Sequence, residues 1–157
     1  MNTPAGRILR LHGSLLLALL LTLTPLPGSG LGMWPEWPAL VLAWWCAHHP
    51  GRVGLGTALA WGLLLDLALG TLLGQHALGL LWIAYVVLRQ HSRFRLYPLL
   101  QQALVVAALV AVERLVFLWL YGIADRPVQQ LGPYALPVLS SALVWPLIDG
   151  SLRRWTR

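Results

Sequence analysis

The sequence predicts an all-α bundle of about six transmembrane helices, built as a single integral membrane domain over residues 1–157. Three observations predict it. The first is composition: of 157 residues, 58% are hydrophobic and 10% are charged, whereas soluble domains carry roughly 25% charged residues. A soluble fold of this length would leave a large apolar excess facing water, and a bilayer accepts that surface. The second is segmentation of the chain into apolar runs broken by turn residues. The third is the placement of charge, in which 11 cationic side chains, all Arg, oppose five acids: Glu36, Asp66, Glu113, Asp125 and Asp149.

The runs fall at about 11–26, 35–48, 54–73, 76–89, 97–121 and 133–149. The first follows Arg7 and Arg10, a pattern shared with signal peptides. Pro25–Gly32 has no small-x-small cleavage site, and the chain stays apolar to its end, so the run reads as a retained anchor. The second and fourth runs are short, near 14 residues, or about 21 Å of helix. They suit a tilted helix in a thinned bilayer, or a hairpin that does not fully cross. The third and fifth are long enough to span about 30 Å of hydrocarbon. Turn residues at Pro50-Gly51, Gly74 and Asp125-Arg126-Pro127 punctuate the gaps. No repeat, linker or soluble domain is visible.

Six crossings sort the Arg residues. Arg7, Arg10, Arg52, Arg89, Arg93, Arg95, Arg153, Arg154 and Arg157 fall on one side, and Arg126 alone on the other. Positively charged loops remain cytoplasmic, so the expectation is a multi-pass inner-membrane protein with both termini in the cytoplasm. Deleting one crossing would scramble the separation. Nucleic acid is not the expected partner of the +6 charge, because the Arg residues lie between apolar runs rather than on one polar domain. Trp34, Trp37, Trp119 and Tyr134 are expected at the outer interface, and Trp44, Trp45, Tyr97, Trp145 and Trp155 at the inner one. The Arg cluster at 89–95 is expected to meet anionic lipid headgroups.

Polar residues inside the runs are the candidates for function, since each is costly in hydrocarbon. Asp66 falls in the third run, within Gly54, Ala58, Gly62, Gly70 and Gly74 at four-residue steps. Such steps drift about 40° each and make a slanting stripe suited to a close helix crossing. Gly62 and Gly70 are expected to be interface positions, and Leu80 to face lipid. Asp66 is expected to make a buried polar contact or to face a water-filled crevice. Glu113 and Arg114 lie in the fifth run at a depth close to that of Asp66, so an Asp66–Arg114 pair is one expectation. Outward snorkelling of Arg114 past Trp119 is the other. His48, His49 and His76 do not share a face or a membrane side, and no metal site is expected. Ser140 and Ser141 have no nearby base, and no catalysis is expected of the isolated protein. No cofactor is implied. Cys46, in an apolar run, reads as a buried structural thiol.

Several stretches go beyond generic membrane composition. They read P-A-L-V-L-A-W-W from Pro38, H-P-G-R-V-G-L-G from His49, and G-L-L-L-D-L-A-L-G-T-L-L-G-Q-H-A-L from Gly62 to Leu78. R-Q-H-S-R-F-R-L-Y-P-L-L-Q-Q from Arg89 and L-P-V-L-S-S-A-L-V-W-P-L from Leu136 follow. Together they resemble the MreD family of rod shape-determining proteins, over nearly the whole chain, and the block from Arg52 to Leu78 is its specific part. The resemblance implies a non-enzymatic subunit of the machinery for side-wall peptidoglycan synthesis, with MreC, the MreB filament, RodA and the elongation-specific penicillin-binding protein as partners. It implies a fold similar to the substrate-binding subunits of energy-coupling-factor vitamin transporters. It makes Arg52, Asp66, Gly70 and Gln75 structural or interface residues. That fold similarity leaves a rival function, a small-molecule-binding subunit of a membrane transporter. A ligand-binding subunit should show a polar-aromatic cavity. A scaffold should show a lipid-facing apolar groove.

Overall fold

The structure, a computed structural model, describes residues 4–24, 34–124 and 132–156. Six helices account for nearly all of them, and no strand occurs among the described residues: α1 (Pro4–Leu23), α2 (Trp37–His48), α3 (Leu55–Leu69), α4 (Gln75–Phe94), α5 (Leu99–Ile123) and α6 (Gly132–Thr156). Each expected run holds one helix. Asp125, Arg126 and Pro127, expected in the last gap, lie outside the described residues.

The second run is short because of where its helix stands. α2 packs against α1, α4, α5 and α6, and its residues from Pro38 to Ala47 are all buried. It is the axis of the bundle. The others follow one another around it, α1 against α3, α3 against α4, α4 against α5, and α5 against α6. A helix without a lipid face needs no amphipathic pattern and is apolar all round. Among the described residues, the large exposed apolar side chains come from α1, α3, α4, α5, α6 and the turns at Leu73 and Leu96, and never from α2. An apolar belt carried by every outer helix far exceeds what a water-soluble monomer exposes. α5 and α6 are each long and apolar enough to cross a membrane.

The boundaries differ from the apolar runs where polar residues lie inside a helix or glycine ends one. α4 continues from Arg89 to Phe94, because charge at a helix end does not interrupt its hydrogen bonds. α3 stops at Leu69 rather than 73, because Gly70 adopts the left-handed conformation with φ of 63°. The Gly70 N–H bonds the Asp66 carbonyl, and the Thr71 N–H does so at 3.1 Å. This is a glycine-terminated helix end of the usual kind. Asp66 therefore sits in the last turn of α3, not mid-helix.

The expected glycine stripe divides. Gly62 is an interface residue: a Cβ there would collide with the backbone of Ala77 on α4, so α3 and α4 cross in near backbone contact. Gly54 and Gly70 are exposed and would meet nothing. Gly70 is thus required for its backbone conformation and not for packing. A second close approach arises at Gly79, where a Cβ would lie 2.5 Å from Oε1 of Glu113 on α5. Leu80, expected to face lipid, is buried in the core. Its neighbours Leu78 and Trp82 face outward instead.

The aromatic belts also need correction. Trp44, Trp45 and Trp145 are core residues, about 1% exposed or less. The indole N–H of each of these three finds an acceptor on another helix: Trp44 on Asp149 at 3.0 Å, Trp45 on Ser14 at 2.8 Å and Trp145 on Gln102 at 3.2 Å. Satisfying the N–H in this way removes the main cost of taking an indole from the membrane interface into the core. Trp119 and Trp155 do project outward.

Candidate functional site

The buried polar residues collect at the two ends of the bundle. One end joins the start of α2, the α3–α4 turn, the second half of α5 and the first half of α6. Its centre is the Asp66 carboxylate. Oδ1 accepts from the Thr71 hydroxyl at 3.0 Å, the His76 backbone N–H at 2.9 Å and His76 Nδ1–H at 2.9 Å. Oδ2 accepts from the Gly74 N–H at 2.8 Å. Gly74 is the N-cap of α4 and has no side chain to cap with. Asp66 supplies the missing cap from the preceding helix. A carboxylate set against the free N–H groups of a helix start is favoured by hydrogen bonding and by the helix dipole.

From His76 the cluster continues through rings and charges. The His76 ring meets Phe117 edge-on with centroids 5.0 Å apart. The Arg114 guanidinium lies over the same Phe117 ring, 5.3 Å from its centroid. Arg114 forms an ion pair with Glu36 at the start of α2. The Glu36 backbone N–H bonds the Ser141 hydroxyl on α6 at 3.0 Å. The expected Asp66–Arg114 pair is therefore replaced by two separate pairs, Asp66–His76 and Arg114–Glu36. Similar depth was not enough, because depth says nothing of which way round its helix a side chain points.

Glu113 and Gln75 complete this end. Glu113 is 1% exposed and packs beneath Gly79. Its Oε2 and the Gln75 Oε1 are buried without a hydrogen-bond partner. Arg52, the remaining expected residue, is exposed in the α2–α3 turn at the opposite end, with its N–H bonded to His49 O at 3.0 Å.

The opposite end is organised by Asp149. It accepts from the Trp44 indole at 3.0 Å and Arg153 Nε at 2.8 Å, with His48 Nε2 at 3.8 Å. Here lie Arg10, Arg52, Arg89, Arg93, Arg95, Arg153 and Arg154, at the start of α1, the α2–α3 turn, the end of α4 and the end of α6. Arg10 reaches the Thr156 carbonyl at 3.5 Å, joining the first helix to the last.

His76, Thr71, Glu36, Ser141 and Asp149 carry these contacts and were not among the expected site residues. The signal for the first two was local. Gly70 four residues after Asp66 marks a helix stop, and Thr71, Gly74 and His76 then lie in the turn that the carboxylate faces. The trio Asp66, His76 and Thr71 is not a catalytic relay. In such a relay the imidazole binds the acid through one nitrogen and the nucleophile through the other. Here His76 Nδ1 faces both, with Thr71 Oγ1 at 3.3 Å. Among the described residues no three His, Cys, Asp or Glu side chains converge as metal ligands.

Fold and site together define a class: an all-helical membrane protein in which buried polar contacts join helices at both ends of the bundle. The comparisons with known proteins narrow it. The family profile described as rod shape-determining protein MreD matches residues 6–154. A rod shape-determining protein MreD of Haemophilus influenzae is 30% identical over 141 residues, covering 90% of this chain and 86% of that protein. The chain belongs to the MreD family. No solved structure matches it.

Proposed function

We propose that the chain is a non-catalytic inner-membrane subunit of the rod, or elongation, complex. In that role it scaffolds side-wall peptidoglycan synthesis and so maintains rod cell shape. Its partners are MreC, the MreB filament, RodA and the elongation-specific penicillin-binding protein. The observation that carries the scaffold reading is a groove of about 500 Å³ on the outer surface between α5 and α6. Ala111, Leu115, Leu118, Ala135, Val138 and Leu139 line it. Arg114 also borders it, held by Glu36. Small and branched apolar residues between two helices suit a third helix, since helices in lipid associate by close packing. A transporter-like ligand site would call for a polar-aromatic cavity. The recess among α1, α2 and α6, about 270 Å³, is lined mainly by apolar residues such as Leu17, Leu21 and Val41, with Trp37 and Trp155 as its aromatic members and Ser14 and Ser151 as its polar ones.

Six crossings with both termini in the cytoplasm complete the reading, because the described Arg residues other than Arg114 gather at one end. Reporter fusions after Arg157 should show a cytoplasmic signal, and fusions within 122–132 a periplasmic one. A periplasmic C-terminus would sink this topology.

The groove is tested by filling it. Ala111→Phe places a ring where the partner helix would pack, at a cost of about 1–3 kcal/mol to the contact. In mild-detergent purifications it should lower MreC recovery about tenfold, the equivalent of about 1.4 kcal/mol. The melting temperature of the isolated chain should stay unchanged. Full recovery of MreC with a filled groove would remove the support for this site.

A further inference from the structure

We propose that the outward face of α4 is a binding site for one anionic phospholipid, its phosphodiester held between Arg89 and Arg93 and its acyl chain laid along Leu78, Trp82 and Tyr85. The proposal requires only that the bundle is embedded in a membrane, so it stands or falls separately from the scaffold reading.

The first argument is register. At 100° per residue, positions 78, 82, 85, 89 and 93 fall within about 80° of one another, so they form one straight stripe. All five side chains are exposed, with Leu78 at 47%, Trp82 at 39% and Tyr85 at 50%. Between them, Leu80, Ile83, Ala84 and Val87 turn inward to the core. The stripe changes character along its length, from aliphatic, through two aromatic residues, to two Arg residues one turn apart.

The second argument is length. From Leu78 to Arg89 the helix rises about 16–17 Å. One leaflet of a bilayer with a hydrocarbon core about 30 Å thick is about 15 Å deep. The apolar lane is thus about as long as one acyl chain, and the Arg pair stands at its headgroup end. Tyr85 precedes Arg89 by one turn, at the level favoured by amphipathic rings.

The third argument is charge. The four acids among the described residues are buried, with Glu36 8%, Asp66 1%, Glu113 1% and Asp149 4% exposed. Glu36 and Asp149 are paired with Arg114 and Arg153, and Asp66 is engaged by His76 and the α4 start. No carboxylate on the described surface is left to neutralise Arg89 and Arg93. Among the described residues no anion faces this Arg pair, which leaves it open to an anion from outside the chain. Arg89, Gln90, Ser92 and Arg93 border an open polar recess of about 400 Å³, in which guanidinium donors can grip a phosphate with two bonds each and the Gln90 amide can add another.

Quenching of Trp82 fluorescence by brominated acyl chains tests this in nanodiscs of phosphatidylcholine doped with phosphatidylglycerol. The Trp82 signal is the part lost in Trp82→Phe. Brominated phosphatidylglycerol should quench it at a far lower mole fraction than brominated phosphatidylcholine does. Arg89→Gln with Arg93→Gln should raise the half-quenching fraction about 30-fold, from about 1 kcal/mol per cationic side chain. A double variant of equal charge at exposed sites elsewhere, Arg52→Gln with Arg154→Gln, should raise it less than about threefold if the effect is local rather than a summed surface potential. Circular dichroism of both variants should match the parent, since all four side chains are exposed. Equal losses in the two variants, no preference for phosphatidylglycerol, or relief of quenching by soluble glycerophosphate would each overturn the site.

Discussion

Replacing Asp66 by leucine should destabilise the bundle by about 3–5 kcal/mol, the cost of removing one partner from a buried charged contact. The reason is the number of donors that converge on one carboxylate. Without it the N–H groups of Gly74 and His76, the Thr71 hydroxyl and the His76 ring lose their acceptor together. Leucine keeps the branched outline of the side chain and supplies no acceptor. Asp66→Asn keeps one acceptor oxygen and should lose less, about 1.5–3 kcal/mol as for a hydrogen bond to a charged group. The partner is identified by coupling. Asp66→Asn with His76→Leu should be less damaging than the sum of the two by at least about 0.5 kcal/mol, as expected of residues in contact. Asp66→Asn with Arg114→Gln should be additive within about 0.5 kcal/mol, because their charges do not meet. Detergent melting of the parent, the three single variants and the two double variants reads both cycles. Coupling to Arg114 and none to His76 would contradict the site as described.

Gly62→Leu should be nearly as damaging, at about 3 kcal/mol or more, the upper end of overpacking penalties. Its Cβ would lie 2.7 Å from the Ala77 nitrogen and 3.0 Å from the His76 carbonyl carbon. These are backbone atoms at the start of α4, and they cannot rotate aside as a side chain does. Separating α3 from α4 would also draw His76 away from Asp66, so one substitution disturbs both the crossing and the clamp. Gly70→Leu makes a sharp comparison. Nothing surrounds that position, and its cost comes only from holding φ at 63°, about 1–2 kcal/mol for a residue with a Cβ. Gly70→Asn should recover most of it, because Asn tolerates the left-handed region. Leu78→Phe, facing lipid, should be silent. A melting temperature lowered more by Gly70→Leu than by Gly62→Leu would show that the stripe packs differently from the crossing at Ala77.

These two residues also show what could be read in the sequence. Six apolar runs gave six helices because hydrophobic length survives any arrangement of neighbours. The bias of Arg to one end survived for the same reason. The stripe through Asp66 was half legible. Gly62 was recognisable as a packing position, but Gly70 matched the same spacing and serves a turn. Leu67 to Leu73 reads as continuous apolar text, which hides a helix end made by one backbone dihedral. The inward direction of Trp44 and Trp45 was not legible at all. It depends on Asp149 and Ser14 arriving from α6 and α1 with acceptors. The family resemblance supplied the proposed role, and the side-chain pairs came only with three-dimensional placement.

The central claim, that the apolar groove between α5 and α6 holds a helix of a rod-complex partner, is tested most directly by photo-crosslinking in growing cells. A photoreactive residue replaces Leu139 in the groove or Leu67 on α3, both exposed and apolar. The account predicts a strong adduct with MreC from position 139 and only lipid from position 67. An MreC adduct from position 67 with none from 139, or no adduct from either in cells that remain rod-shaped, would contradict it.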